Sequence, residues 1–153
     1  MWDAQVPALV RDYRVLRYDT RGHGATEGTP PPYSIDLLVD DARALLDALN
    51  IASVHFVGLS LGGMIGQLFA VRYPAFLKSL VLCDTSSHMP PETLWEDRIQ
   101  TAEDGGIAAM APATIERWFT APFRERSAAE IERIGGMIRK TELAGYVGCC
   151  RAI

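Results

Sequence analysis

The stretch Val57-Gly58-Leu59-Ser60-Leu61-Gly62-Gly63 constrains this chain more than any other. Val54-His55-Phe56-Val57 predicts a short strand ahead of it, and the apolar residues from Leu61 to Tyr73 predict a helix that Pro74 ends. A G-x-S-x-G sequence between a strand and a helix is the setting of a sharp turn that presents a nucleophilic serine. Such a turn holds its serine in a sparsely populated backbone conformation. The residues two before and two after it must be small to avoid neighbouring backbone, and Gly58 and Gly62 meet that need. Ser60 would project from the strand end at a helix N-terminus. There the helix dipole and the free amide of Leu61 favour developing negative charge.

The first half of the chain alternates strands and helices in the same way. Trp2, Val6, Leu9 and Val10 outline a short helical face. Residues 14–18 (RVLRY) predict a strand running into the glycine-rich loop Asp19-Thr20-Arg21-Gly22-His23-Gly24, which continues through Pro30-Pro31-Pro32. Ser34 is placed as the N-cap of a helix carrying Leu37, Leu38, Leu45, Leu46 and Leu49. Asp36, Asp40 and Asp41 suit the positive end of its dipole, and Asn50 closes it. Residues 79–83 form a third apolar run. Strands alternating with helices imply an α/β fold with parallel strands and flanking helices. After Asp84 the character changes. Pro90-Pro91 interrupts the chain, and helical patterns near 92–102, 107–119, 127–140 and 142–152 follow without a strand. The chain thus divides into residues 1–85, a partial α/β core bearing the turn, and residues 86–153, a helical subdomain.

Composition narrows the function. Hydrophobic residues at 48% and charged residues at 22% describe a folding chain rather than a disordered one. A net charge of -4 argues against nucleic-acid binding. Apolar runs stay short of the roughly 18 residues that span a bilayer, and Met1-Trp2-Asp3 does not open a signal peptide, so a cytoplasmic location is expected. Cys83 is expected in the core, while Cys149 and Cys150 suit neither a zinc site nor a disulfide framework. No metal and no cofactor are expected. The glycine-rich segments support neither: GLSLGGM lacks the Lys-Ser/Thr of a phosphate loop, and Arg21-Gly22-His23-Gly24 runs into prolines rather than a dinucleotide-binding helix.

Met1-Trp2-Asp3 with its helix, Tyr18-Asp19-Thr20-Arg21-Gly22-His23-Gly24, Tyr33-Ser34-Ile35 and Gly58-Leu59-Ser60-Leu61-Gly62-Gly63-Met64 together resemble the α/β-hydrolase superfamily. Within it the chain is similar in particular to the 3-oxoadipate enol-lactonases over residues 1–87. The similarity is weaker beyond, where Arg117-Trp118-Phe119-Thr120 resembles their cap. The resemblance implies Ser60 as nucleophile, the Leu61 N–H as half of the oxyanion hole, residues 86–153 as a cap, and Trp118 as a pocket wall or cap-core residue. It also implies opening of a small lactone or ester. Dehalogenases and epoxide hydrolases attack with a carboxylate, which the serine disfavours.

A serine nucleophile needs a base and an orienting acid, which in this superfamily follow the cap. His88, after Ser60, and Asp84 form an imaginable local pair; His23 is better suited to shaping the pocket floor, and His55 lies in a strand. Acid and base are therefore expected outside these residues, as is the strand between the superfamily's fourth and fifth, which residues 14–18 and 54–57 resemble. The chain is expected to be a fragment, inactive alone, that folds poorly or rearranges its sheet, with missing segments of the same fold as a partner. Another esterase or acyl hydrolase and a non-catalytic binding module are the alternatives.

Overall fold

The computed structural model describes residues 1–153. Its first element is a 3-10 turn, Trp2–Ala4, followed by the short helix α1 (Val6–Leu9). Helix α2 (Ile35–Ala48) starts where Ser34 Oγ accepts the Leu37 N–H at 3.1 Å. Leu38, Val39, Ala42 and Leu46 form its buried stripe, and Asn50, with φ of 52°, takes the left-handed turn beyond its end. Its acidic residues do more than complement a dipole: Asp36 and Asp40 pair with Arg72, and Asp41 holds Arg21.

Strand β1 (Val54–Leu59), helix α3 (Leu61–Arg72) and strand β2 (Leu77–Cys83) form one β-α-β unit. The strands are adjacent and parallel, with Phe56 beside Leu80 and Leu59 beside Cys83. Helices α2 and α3 cover one sheet face, where Phe69, Leu38, Ile65 and Val39 are fully buried and Phe56 and Leu77 pack against them. On the other face Val57 and Val81, neighbours across the ladder, are 42% and 47% exposed.

Two expectations are corrected here, the strand at residues 14–18 and the buried Cys83. Residues 14–18 form no strand: none of their backbone groups bonds another backbone group, because β1 and β2 pair only with each other. The two strands that do form are parallel, with a register irregularity between Val54 and His55. Cys83 is only half-buried at the end of β2, while Cys149 and Cys150 are the buried thiols.

The second half is helical, as expected: α4 (Glu92–Gly105), α5 (Ile107–Trp118), α6 (Ala121–Arg126), α7 (Ala128–Arg139) and α8 (Leu143–Ala152). Gly106, with φ of 74°, separates α4 from α5. Helix α6 is the one element the sequence did not suggest, opening on Pro122 in its first turn. Helix α8 belongs to two clusters. Val147 and Cys150 pack with Ile99 of α4, while Cys149 joins Tyr33 and Leu38 in the main core. This seat depends on glycine. A Cβ on Gly145 would lie 2.3 Å from the Gly22 carbonyl oxygen, and one on Gly148 would lie 2.6 Å from the Tyr33 ring. Gly22 itself needs φ of 72°. No helix is long and apolar enough to cross a membrane.

Two outcomes follow from this packing. Gly145→Ala forces two backbones apart and is expected to lower stability by about 2 kcal/mol, in the range typical of overpacking, as read from the urea midpoint. Burial, and then the neighbouring Cys150, pushes the Cys149 thiol up to about 12, and burial also raises Cys150. Because the thiolate is the reactive form, iodoacetamide at pH 8 should label Cys83 at least roughly tenfold faster than either. Peptide mass spectrometry, with and without denaturant, measures this.

Candidate active site

The bend after β1 centres on Ser60, whose φ of 51° and ψ of -119° lie outside the regions a side chain readily adopts. Holding one residue in such a conformation costs about 1–3 kcal/mol and requires the surroundings to over-determine it. They do so from both sides of its peptide units. The Ser60 N–H donates to the Cys83 carbonyl at 3.0 Å, extending the strand pairing by one residue. The Thr85 hydroxyl donates to the Ser60 carbonyl at 2.7 Å, and the Gly63 and Met64 N–H groups donate to the same oxygen at 2.8 and 3.1 Å.

The glycines divide differently from the expectation. A Cβ on Gly58 would lie 2.2 Å from the Gly62 carbonyl oxygen, so nothing larger than glycine fits. At Gly62 the same position meets nothing within 4 Å, so the steric reason expected for it is absent. The second tight position is Gly63, where a Cβ would come within 2.5 Å of the Thr85 side chain that clamps Ser60. Neither Gly63 nor Thr85 was singled out from the sequence. Thr85 lies 25 residues from Ser60 and is brought to it only by the register of β2.

The Ser60 side chain is exposed and does not cap its own helix. Leu61 follows as the first residue of α3, where the helix supplies no acceptor for its N–H and the dipole is positive. An exposed hydroxyl beside free first-turn amides is an arrangement suited to acyl transfer. The histidines are engaged elsewhere. His23 Nδ1–H donates to the Arg21 carbonyl at 3.1 Å, and His55 Nδ1 lies 2.8 Å from Ser79 Oγ and edge-on to Tyr13. His88 is exposed and makes no ring contact with Asp84, so that imagined pair does not form; Asp84 instead turns the chain with φ of 41°. Trp118 ends α5 at 58% exposure, outside both buried clusters of the C-terminal helices.

The loop at 19–24 is fixed by a pair that the sequence did not disclose. Arg21 binds Asp41 of α2 through Nε at 2.8 Å and through Nη2, and these bonds raise the Arg21 pKa further above its ordinary value against the opposing effect of burial. Tyr33 closes the proline segment by donating to the Thr29 carbonyl at 2.8 Å. On the elbow itself, Gly58→Ala should lower stability by about 2 kcal/mol or more, because the colliding atoms are backbone. Gly62→Ala should leave stability unchanged or raise it by up to about 1 kcal/mol, as expected for replacing glycine by alanine in a helix. Thermal unfolding of the two variants gives the comparison.

With this geometry in hand, the chain can be set beside known proteins. The family model for the alpha/beta hydrolase fold matches residues 1–133. A 3-oxoadipate enol-lactonase of Acinetobacter baylyi is 35% identical over 153 residues, all of this chain and 57% of the relative. Among solved structures, the enol-lactonase from Burkholderia xenovorans superimposes with a TM-score of 0.97 at 39% identity, covering 99% of this chain and 58% of that one. A thermophilic esterase from Thermogutta terrifontis, with malate bound, gives 0.91 at 28% identity over 99% of this chain and 57% of its own. The chain therefore spans a little over half the length of these relatives. The strand-elbow-helix unit and the extent of the match place it by descent as well as by shape: it belongs to the α/β-hydrolase fold family.

Proposed function

We propose that the chain is the nucleophile-bearing part of a serine hydrolase that opens 3-oxoadipate enol-lactone. The observation that carries the reading is Ser60: an exposed hydroxyl in a clamped, positive-φ bend at a helix N-terminus. In this reading Ser60 Oγ attacks the lactone carbonyl and its proton passes to a general base. The carbonyl oxygen becomes an oxyanion held by the Leu61 N–H, with a second donor from elsewhere in the fold. Collapse of the intermediate breaks the ring C–O bond, the protonated base returns its proton to the departing enol oxygen, and an acyl-enzyme is left. Water then attacks the acyl carbon with the same base taking its proton, and Ser60 leaves with a 3-oxo dicarboxylate formed. No histidine of this chain hydrogen-bonds to Ser60, so the base and its orienting acid are assigned to segments that the matched part of the relatives does not include. The pocket wall role of Trp118 stays part of this proposal.

Support for the substrate comes from the enol-lactonases at 35% and 39% identity. An anionic substrate also accords with the malate held by the esterase neighbour. The second reading, a simple carboxylic esterase, is favoured by that same neighbour's 0.91 TM-score.

A graft tests the reading. Replace the matched segment of the Burkholderia enol-lactonase by this chain, and assay enol-lactone opening beside p-nitrophenyl acetate hydrolysis. Enol-lactone opening should dominate, and Ser60→Ala in the graft should reduce it by about a thousandfold or more, the scale of losing a catalytic nucleophile. A folded graft whose rate ignores Ser60→Ala would remove the nucleophile assignment. A preference for the acetate ester would favour the esterase reading. The chain alone should hydrolyse the acetate ester less than about tenfold faster than its Ser60→Ala variant, since the base is missing.

A further inference from the structure

The Ser60 carbonyl and the Leu61 N–H belong to one peptide unit. That unit is planar and trans, so its oxygen and its amide hydrogen point in opposite directions, and a restraint on one aims the other. The oxygen is restrained three times. The Gly63 and Met64 N–H groups donate to it from within α3 at 2.8 and 3.1 Å, and the Thr85 hydroxyl donates to it from beyond β2 at 2.7 Å. The two amides belong to the first turn of any helix that starts here. Thr85 is the one donor supplied by another part of the chain.

Thr85 is itself held against the elbow. Before it, Asp84 turns the chain with φ of 41°. After it, the Ser86 carbonyl accepts from Nε2 of Gln67 on α3 at 3.2 Å. Its side chain fills the space that Gly63 leaves open, since a Cβ on that glycine would lie 2.5 Å from Thr85 Cγ2 and 2.7 Å from Oγ1. The bond it makes has a chemical consequence. A carbonyl that accepts a hydrogen bond draws electron density from its own amide nitrogen and makes that N–H a stronger donor. Hydrogen bonds linked in this way strengthen one another by about 10–30% each. In the proposed reaction negative charge develops opposite the Leu61 N–H, where an aimed and polarised donor acts most strongly.

We propose that Thr85 is a positioning residue for the oxyanion donor: through the Ser60–Leu61 peptide plane, its hydroxyl aims the Leu61 N–H and strengthens it. This deepens the hydrolase reading above and rests on it. Ser60 remains the attacking group, and Thr85 needs no contact with the substrate.

Thr85→Val keeps the shape that fits Gly63 and deletes only the hydroxyl, while the Ser60 carbonyl keeps its two bonds within α3. In the graft into the Burkholderia enol-lactonase, this variant should lower kcat for enol-lactone opening by about tenfold, with KM within about threefold of the parent. That is less than the loss of about a hundredfold or more that follows removal of an oxyanion donor outright. Thr85→Ser, which keeps the hydroxyl, should hold kcat within about threefold of the parent. Thr101→Val, the same deletion at a hydroxyl that donates to the Asp97 carbonyl on α4, should behave as the parent does. In nitrogen–proton correlation spectra of the full chain, the Leu61 amide nitrogen should move upfield in Thr85→Val and return in Thr85→Ser. The proposal is overturned by an undiminished kcat in a graft that Ser60→Ala inactivates, by a loss that Thr85→Ser shares, or by an unmoved Leu61 nitrogen. Should Thr85→Val fail to fold, Thr85→Ala, which also deletes the hydroxyl, carries the comparison. A graft indifferent to Ser60→Ala sinks the hydrolase reading instead, and the Leu61 nitrogen then decides the coupling alone.

Discussion

The structure turns on the peptide units around Ser60. A residue at φ of 51° and ψ of -119° relaxes unless its surroundings leave it no other conformation. Here the Cys83 carbonyl fixes its N–H and the Thr85 hydroxyl fixes its carbonyl, so both restraints come from the end of β2. The elbow is thus a product of strand pairing as much as of local sequence. A shift of β2 by one residue would remove both restraints together, and would turn the sheet's buried side chains outward. Gly58 and Gly63 make the clamp sterically feasible, the first by admitting the backbone of α3 and the second by admitting Thr85.

The C-terminal helices are seated by the same kind of contact. Gly22 and Gly145 meet backbone to backbone, and Gly148 lies flat against the Tyr33 ring. Tyr33 in turn closes the loop that follows Arg21, and Arg21 is tied to Asp41 of α2. A single connected path of close contacts therefore runs from the core helix through the glycine-rich loop to α8. Helix α4 packs on α8 and α5 on α4, so both hang from that path.

Much of this was legible in the residues. The Ser34 cap, the stop at Asn50, the β1-α3-β2 unit and four of the five C-terminal helices appear where periodicity and turn residues put them. Each is governed by contacts a few residues long, which a sequence states directly. The failures share a cause. Residues 14–18 have the composition of a strand, yet a strand exists only by pairing, and nothing beside them offers a ladder. Asp36, Asp40 and Asp41 suited a helix dipole, but their partners are arginines 36, 32 and 20 residues away.

The sequence by itself determined the chemistry on offer: a serine two residues after Gly58 at a strand-to-helix junction, because the turn admits nothing larger than glycine at that position. Tertiary structure decided how the serine is held and what stands near it. Thr85 and Gly63 at the elbow, and the Gly22–Gly145 seat, are joined across tens of residues by strand register and helix packing, and contacts of that range leave no local pattern to read.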